Sequence, residues 1–241
     1  MDLEKYRIQE FWDNSPCGMK DVHGISEGSE EFFKSVEQIR YAGDDFMHQI
    51  IQFKRWKGKS ILEVGCGMGT DLSQFALAGA EVCGIDLSFR SVSLAKKKME
   101  IECLSGATLQ ANAETLPFQD HSFDLVYSWG VLHHTPNSRK AIKEVIRVCK
   151  NGGDVLVMLY HRRSLVAFQV WLRYGLLAGK PFYGLDRLLS EHMESPGTRA
   201  FKRKEVEELF SDLEEVHIET VVTRYDLRIG RRRFLPYFLR R

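Results

Sequence analysis

"SILEVGCGMGTDLSQFALAGAEVCGIDLS", residues 60–88, decides how this chain folds. A short apolar run rich in β-formers meets Gly65, Gly67 and Gly69 on alternate positions. A helical stretch over 70–78 follows, and a second apolar run ends at Asp86. The alternation continues downstream. "ATLQA", "FDLVYSW" and "DVLVMLY" read as strands, and the spacing predicts helices over 89–102 and 138–150, the latter stopped by "NGG" at 151–153. Strand–helix–strand units of this length predict a parallel sheet covered by helices. The near-continuous apolar strands fit a sheet buried on both faces.

In a doubly wound sheet the ligand lies beyond the carboxyl ends of the strands, where strand order reverses. The first strand ends at Val64, so residues 65–69 form the loop at that crevice. Glycine there permits positive φ and lets the main chain approach a ligand without a Cβ in the way. Asp86 ends the second strand beside the same crevice, where a carboxylate can accept both hydroxyls of a ribose. The pattern therefore points to an adenosine-type cofactor. A dinucleotide fingerprint, G-x-G-x-x-G, counted from Gly65 would put its third glycine at Thr70. The chain instead offers E-x-G-x-G-x-G, with Glu63 two places before the first glycine.

That motif resembles the first motif of the class I S-adenosylmethionine-dependent methyltransferases. "QANAETLPFQDHSFDLVYSWGVLHHTPN", residues 110–137, resembles the motifs that follow it in the branch that includes the quinone-biosynthesis enzymes. The resemblance covers roughly residues 58–160. It implies an α/β, Rossmann-like, doubly wound and mostly parallel sheet, with S-adenosyl-L-methionine as cofactor. It implies cofactor contacts from Glu63, the loop glycines Gly65, Gly67 and Gly69, Asp86 with Leu87 at the ribose, and Ser128 and Trp129 at the end of the fourth strand. Asn112, Ala113 and Glu114 would face the adenine. Aspartate is commoner at the first of these places, but Asn112 can still hydrogen-bond the adenine amino group. "FWDNSPCG" and "IRY" resemble the N-terminal cover of related enzymes, which sets Tyr41 either on the cofactor carboxylate or as a staple of its helix.

Methyl transfer is an in-line displacement at a sulfonium, so much of the protein's task is orientation and desolvation. A neutral phenol, hydroxyl or amine also calls for a base. Side chains after strands four and five can reach the methyl: Trp129, His133, His134, Tyr160 and His161. His133 and His161 are the candidate bases, against plain loop and cap positions; His134 reads mainly as structure. Trp129 is either core or an aromatic face for the sulfonium. The histidine pair has no third ligand at metal-like spacing, so no metal is expected.

At 241 residues and 44% hydrophobic content, one domain is expected. It divides into a helical cover (1–57), the cofactor-binding core (58–160), an inserted helical cap after strand five (161–200), and a last helix, a strand over "EEVHIETVV" and a basic tail (201–241). The formal net charge of +1 makes nucleic acid an unlikely partner. Five cysteines without a CxxC pair read as free thiols. The N-terminus lacks a signal-peptide apolar region and no apolar run reaches spanning length, so a cytoplasmic protein is expected.

The cap places Leu165, Phe168, Trp171, Leu172 and Leu176 near one helical face, interrupted by Arg173. The stretch 224–241 carries seven arginines against one aspartate, interleaved with aromatic residues. Both suit a lipid-like acceptor or an anionic membrane surface, and equally an ordinary core and a solvated tail. The expected function is methyl transfer to a small or lipid-like acceptor, with O-methylation ahead of C- or N-methylation. The alternatives are methylation of RNA or protein, and a cofactor-binding regulatory protein without turnover.

Overall fold

The computed structural model describes residues 3–43, 46–223, 228–229 and 233–234. Three helices come first, α1 (Leu3–Asn14), α2 (Glu30–Gly43) and α3 (Phe46–Ile51). Strand and helix then alternate through β1 (Ser60–Val64), α4 (Thr70–Leu77), β2 (Glu81–Asp86), α5 (Phe89–Ile101) and β3 (Ala107–Gln110). The second half adds β4 (Phe123–Trp129), α6 (Ser138–Val148) and β5 (Cys149–Met158). All five strands pair in parallel, in the order β3-β2-β1-β4-β5. The direction of winding reverses between β1 and β4, and this opens the crevice beside the glycine loop.

Period-two alternation explains why the sheet is covered on both sides. Ile61 of β1 and Leu125 of β4 join Leu72 and Phe75 of α4 on one face. Leu62 and Val126, the next residues along, join Ile142, Val145 and Val148 of α6 on the other. Each such large side chain, fully buried, contributes about 1.5–3 kcal/mol. The helices start where their caps dictate: Ser88 Oγ accepts from the Ser91 amide at 3.0 Å, and Asn137 Oδ1 accepts from the Lys140 amide at 3.0 Å.

The α6–β5 junction differs from the sequence expectation. The helix ends at Val148, and the "NGG" lies within β5. Phe123 pairs with Cys149, but Leu125 pairs with Asp154, so β5 bulges between them. A Cβ on Gly153 would stand 2.9 Å from the Asp124 carbonyl oxygen, so the bulge needs glycine there.

The cover is fastened to the core. Phe32, Phe33 and Val36 of α2 pack on Met68 of the glycine loop and Leu94 of α5. Lys98 of α5, only 1% exposed, reaches Glu37 of α2 at 3.3 Å and also pairs with Glu102. A buried ammonium is tolerated because two carboxylates meet it.

After β5 the cap holds α7 (Leu165–Val170), a π-turn over Trp171–Leu176, and α8 (Leu185–His192), followed by α9 (Arg203–Leu209). The strand expected over 214–222 does not form: these residues carry neither helix nor strand, and pair with no strand of the sheet. Short strands β6 (Arg228–Ile229) and β7 (Arg233–Phe234) pair antiparallel. The rest of the basic tail lies outside the described residues.

Candidate active site

The glycine loop is bolted to the end of β2. The amides of Gly65 and Cys66 donate to the Ile85 carbonyl at 2.7 and 2.9 Å. All three glycines have positive φ: +79° at Gly65, +52° at Gly67 and +79° at Gly69. Their surroundings differ. A Cβ on Gly65 would lie 2.3 Å from Val131 Cγ2, and one on Gly69 would lie 3.1 Å from the Ala95 backbone. One on Gly67 would meet no protein atom within 4 Å. Two of the glycines thus serve packing, and Gly67 faces open space.

Asp86 holds this arrangement from the side. Its Oδ2 accepts from the Gly67 amide at 2.9 Å, and its Oδ1 accepts from the Ser88 amide at 2.8 Å. Burial pushes its carboxyl up to about 6, against the pull of those amides. Leu87 lines the same cavity.

Glu63 is 4% exposed, and its Oε2 has no hydrogen-bond partner among the described residues. Burial first, then the neighbouring Asp71 charge, pushes its carboxyl up, with Arg40 opposing. Asp71 itself is saturated. Arg40 donates from Nε at 2.8 Å and again from Nη2, while the hydroxyls of Tyr41 and Tyr127 donate at 2.6 and 2.7 Å. Burial works against the Asp71 charge, but Arg40 and these bonds hold its carboxyl below the ordinary range. Tyr41 therefore spends its hydroxyl on Asp71 and does not line the cavity. Its hydroxyl thus ties α2 to α4.

At the other end, Asn112 and Ala113 line the cavity. Glu114 does not: its Oε1 accepts from the Asn137 amide at 2.6 Å, so its carboxylate fixes the approach to α6. Ser128 is likewise inside, donating from Oγ to the Val64 carbonyl at 2.9 Å and tying β4 to β1. In both residues a backbone group of the protein already holds the side chain. Trp129 does line the cavity, between the rings of Tyr127 and Phe46.

The two candidate bases separate. His133 is fully buried, its ring 3.8 Å from that of Tyr160, and neither ring nitrogen has a partner among the described residues. Burial, then the neighbouring His134, pushes its pKa far down, and it does not line the cavity. Such burial fits neither reading of His133, as a base or as an exposed loop residue. His161 stands on the cavity wall. His134 is structural, its Nδ1 lying 2.8 Å from Ser195 Oγ and 3.0 Å from Thr198 Oγ1. The backbone repeats this attachment of the cap. The Arg199 amide donates to the His133 carbonyl at 3.0 Å, and the Phe201 amide to the Tyr160 carbonyl at 2.8 Å.

These elements enclose a cavity of about 1040 Å³. Its polar end is the glycine loop with Glu63, Asp86 and Asn112. The remainder is walled by Trp12 of α1, by Leu165 and Val166 of the cap, and by residues 215–223. The last segment was missed as a site element because it carries no motif. Its alternating apolar residues looked like sheet.

The family model described as a methyltransferase domain matches residues 62–157. The chain is 30% identical over 187 residues to demethylmenaquinone methyltransferase of Lactococcus lactis, covering 70% of this chain and 73% of that one. It is 38% identical over 98 residues to phthiotriol/phenolphthiotriol dimycocerosates methyltransferase of Mycobacterium tuberculosis, covering 40% and 36%. An S-adenosylmethionine-dependent methyltransferase structure from Methanosarcina mazei superposes with a TM-score of 0.53 at 25% identity, over 68% of this chain and 82% of that one. A further one, from Aquifex aeolicus, shares the fold at 17% identity with a TM-score of 0.53, over 76% and 87%. An open face at Gly67, the buried carboxyl group of Glu63, whose Oε2 has no partner among the described residues, and the carboxyl group of Asp86 fit a cationic adenosine cofactor. The chain belongs to the class I S-adenosylmethionine-dependent methyltransferases, in the branch that includes the quinone-biosynthesis enzymes, and S-adenosylmethionine is its cofactor.

Proposed function

We propose that the enzyme methylates a small, lipid-like acceptor. One observation carries this reading: the cavity's volume of about 1040 Å³ exceeds what one drug-sized ligand needs, so it has room for an acceptor beside the cofactor. Cofactor at the glycine-loop end leaves a chamber with apolar walls at Trp129, Met158, Leu165 and Val166, and with Arg163, Arg203, Glu215 and Glu219 also on its lining. The names of the relatives, with a quinone in one and a lipid in the other, support the same class.

In this reading Asp86 accepts from the ribose hydroxyls, and Gly67 allows close approach of the cofactor. Glu63 answers a cationic group of the methionine portion with its unpartnered oxygen, while Asn112 and Ala113 meet the adenine. When bound, the cofactor supplies a methyl group already activated by its sulfonium. The protein's work is then to align the acceptor and exclude water. We place the acceptor atom at a hydroxyl oxygen, with His161 taking its proton, because His161 stands on the cavity wall directly after β5, beside His134, His192 and His217, while His133 is sealed away.

The test is incubation with methyl-labelled S-adenosylmethionine and cell extract split into lipid, small-molecule, RNA and protein pools. Label in the lipid pool supports the reading, and label confined to RNA or protein overturns it. The carbon shift of the transferred methyl separates a methoxy product from a ring methyl, and the latter would replace oxygen by carbon as acceptor atom. His161→Ala should lower turnover about a hundredfold with cofactor affinity unchanged.

A further inference from the structure

Large apolar side chains are exposed in one run along the cap. Phe182 is 99% exposed, Leu177 75%, Phe168 57% and Leu165 50%, with Leu176 and Tyr183 also open. The π-turn contributes to this. The Leu177 amide donates to the Leu172 carbonyl and the Lys180 amide to the Gly175 carbonyl, five residues back in each case. The wider turn carries the exposed Leu176 and leads into the exposed Leu177, following Leu165 and Phe168 of α7. The opposite side is closed, with Ala167 and Val170 packed on Leu188 and Leu189 of α8.

Charge says what this face meets. Residues 161–185 contain Arg162, Arg163, Arg173 and Lys180 and no acidic residue. Arg162 is taken up by Asp186, and Arg187 pairs with Glu191, so the acidic groups of α8 beside the face are both engaged. Arg173 and Lys180 lie over the rings of Tyr174 and Tyr183. Long cationic stems on aromatic rings, beside protruding Phe and Leu, are the composition of a segment lying in a bilayer interface. Arg163, Leu165 and Val166 at the start of the cap also line the large cavity.

We propose that the outer face of the cap, residues 165–183, seats on an anionic lipid surface and brings the apolar wall of the cavity against it. Phe168, Leu176, Leu177 and Phe182 enter the acyl boundary, and Arg163, Arg173 and Lys180 meet the headgroup phosphates. The proposal goes beyond the methyl-transfer reading. A chain that binds vesicles but labels no lipid keeps this inference and loses that one, and the reverse result does the opposite.

The test is flotation of the full chain with vesicles of phosphatidylcholine, with and without phosphatidylglycerol, at low and high salt. Binding should require phosphatidylglycerol and weaken with salt. The double variant Leu177→Ser/Phe182→Ser removes only exposed surface, so its melting temperature and cofactor affinity should match the parent while vesicle binding drops about tenfold. Arg173→Glu/Lys180→Glu should lose binding to a similar degree. A parent that stays unbound at low salt overturns the proposal. So does binding that survives both double variants and vanishes only when residues 224–241 are removed. A dimer in light scattering that Leu177→Ser/Phe182→Ser dissociates would assign the face to a second copy instead.

Discussion

The Gly67 amide donates to Asp86 Oδ2 across 2.9 Å, joining the open glycine of the loop to the carboxylate that ends β2. Loop conformation and the ribose contact proposed for Asp86 are therefore not independent. Asp86→Ala should weaken S-adenosylmethionine and its demethylated product together, by about 1.5–3 kcal/mol for a lost charge-assisted contact. Calorimetry on the folded variant checks this, and an unchanged affinity would remove Asp86 from the site.

The same residue gives a pH profile. Its carboxyl is raised from 3.8 to about 6 in the folded protein, so it is ionised above that pH and protonates as pH falls through it. Cofactor affinity should decline from pH 7 towards pH 5 in the parent and stay flatter in Asp86→Ala. The stability contribution runs the other way: folded protein binds the extra proton, so this group costs more stability as pH rises through the window.

Gly65 and Gly67 should fail differently. Gly65→Ala drives a Cβ to within 2.3 Å of Val131 and adds positive-φ strain, so it should lower stability by about 2–4 kcal/mol. Gly67→Ala meets no protein atom within 4 Å, and its backbone cost is about 1–2 kcal/mol. It should remain folded and lose cofactor. Thermal melts beside binding isotherms decide the point, and a Gly67→Ala variant that binds normally would place the cofactor elsewhere.

Much of this was legible in the sequence, and the illegible part has a physical cause. Period-two strands, caps and the glycine spacing specify local geometry, so the first two strands, the loop and Asp86 could be located from residues 60–88 and the other three strands from the stretches that follow. Glu114 and Ser128 could not be assigned the same way. Each is diverted by a backbone group that only the tertiary structure brings near, Asn137 in one case and Val64 in the other. His133 differs from His134 for a similar reason, since the turn at 132–134 decides which ring meets the cap. Residues 215–223 have strand-like composition, yet no strand of the sheet pairs with them.

Asp71 should matter to folding far more than Tyr41 does. Asp71→Asn leaves the Arg40 guanidinium without its carboxylate partner, a loss of about 3–5 kcal/mol for a broken buried pair. Tyr41→Phe removes one of several bonds and should cost about 1 kcal/mol. Cofactor affinity of Tyr41→Phe should stay within about twofold of the parent, measured by calorimetry. A large loss would put the Tyr41 hydroxyl on the cofactor after all.

Acid should loosen the cap. Burial lowers His134 from 6.5 to about 4, so the folded protein keeps it neutral while the unfolded chain takes up a proton. Its contribution is complete above pH 6.5 and is lost as pH falls towards 4, a swing of about 3 kcal/mol. His134→Asn keeps a hydrogen-bonding group near Ser195 without that titration. The difference in melting temperature between parent and variant should shrink steadily from pH 7 to pH 4.5, and a constant difference would contradict the assignment.

The cavity is built by two different kinds of construction. Its cofactor end is made of main-chain amides and carboxylates held by the register of β1 and β2, where a single substitution disturbs several bonds at once. Its far wall consists of side chains from α1, the cap and residues 215–223, and that last segment has no ladder to preserve. Inheritance acts on the two ends unequally. A lineage carrying this fold can exchange its acceptor by drift in the far wall, one residue at a time, while the chemistry it performs stays the same.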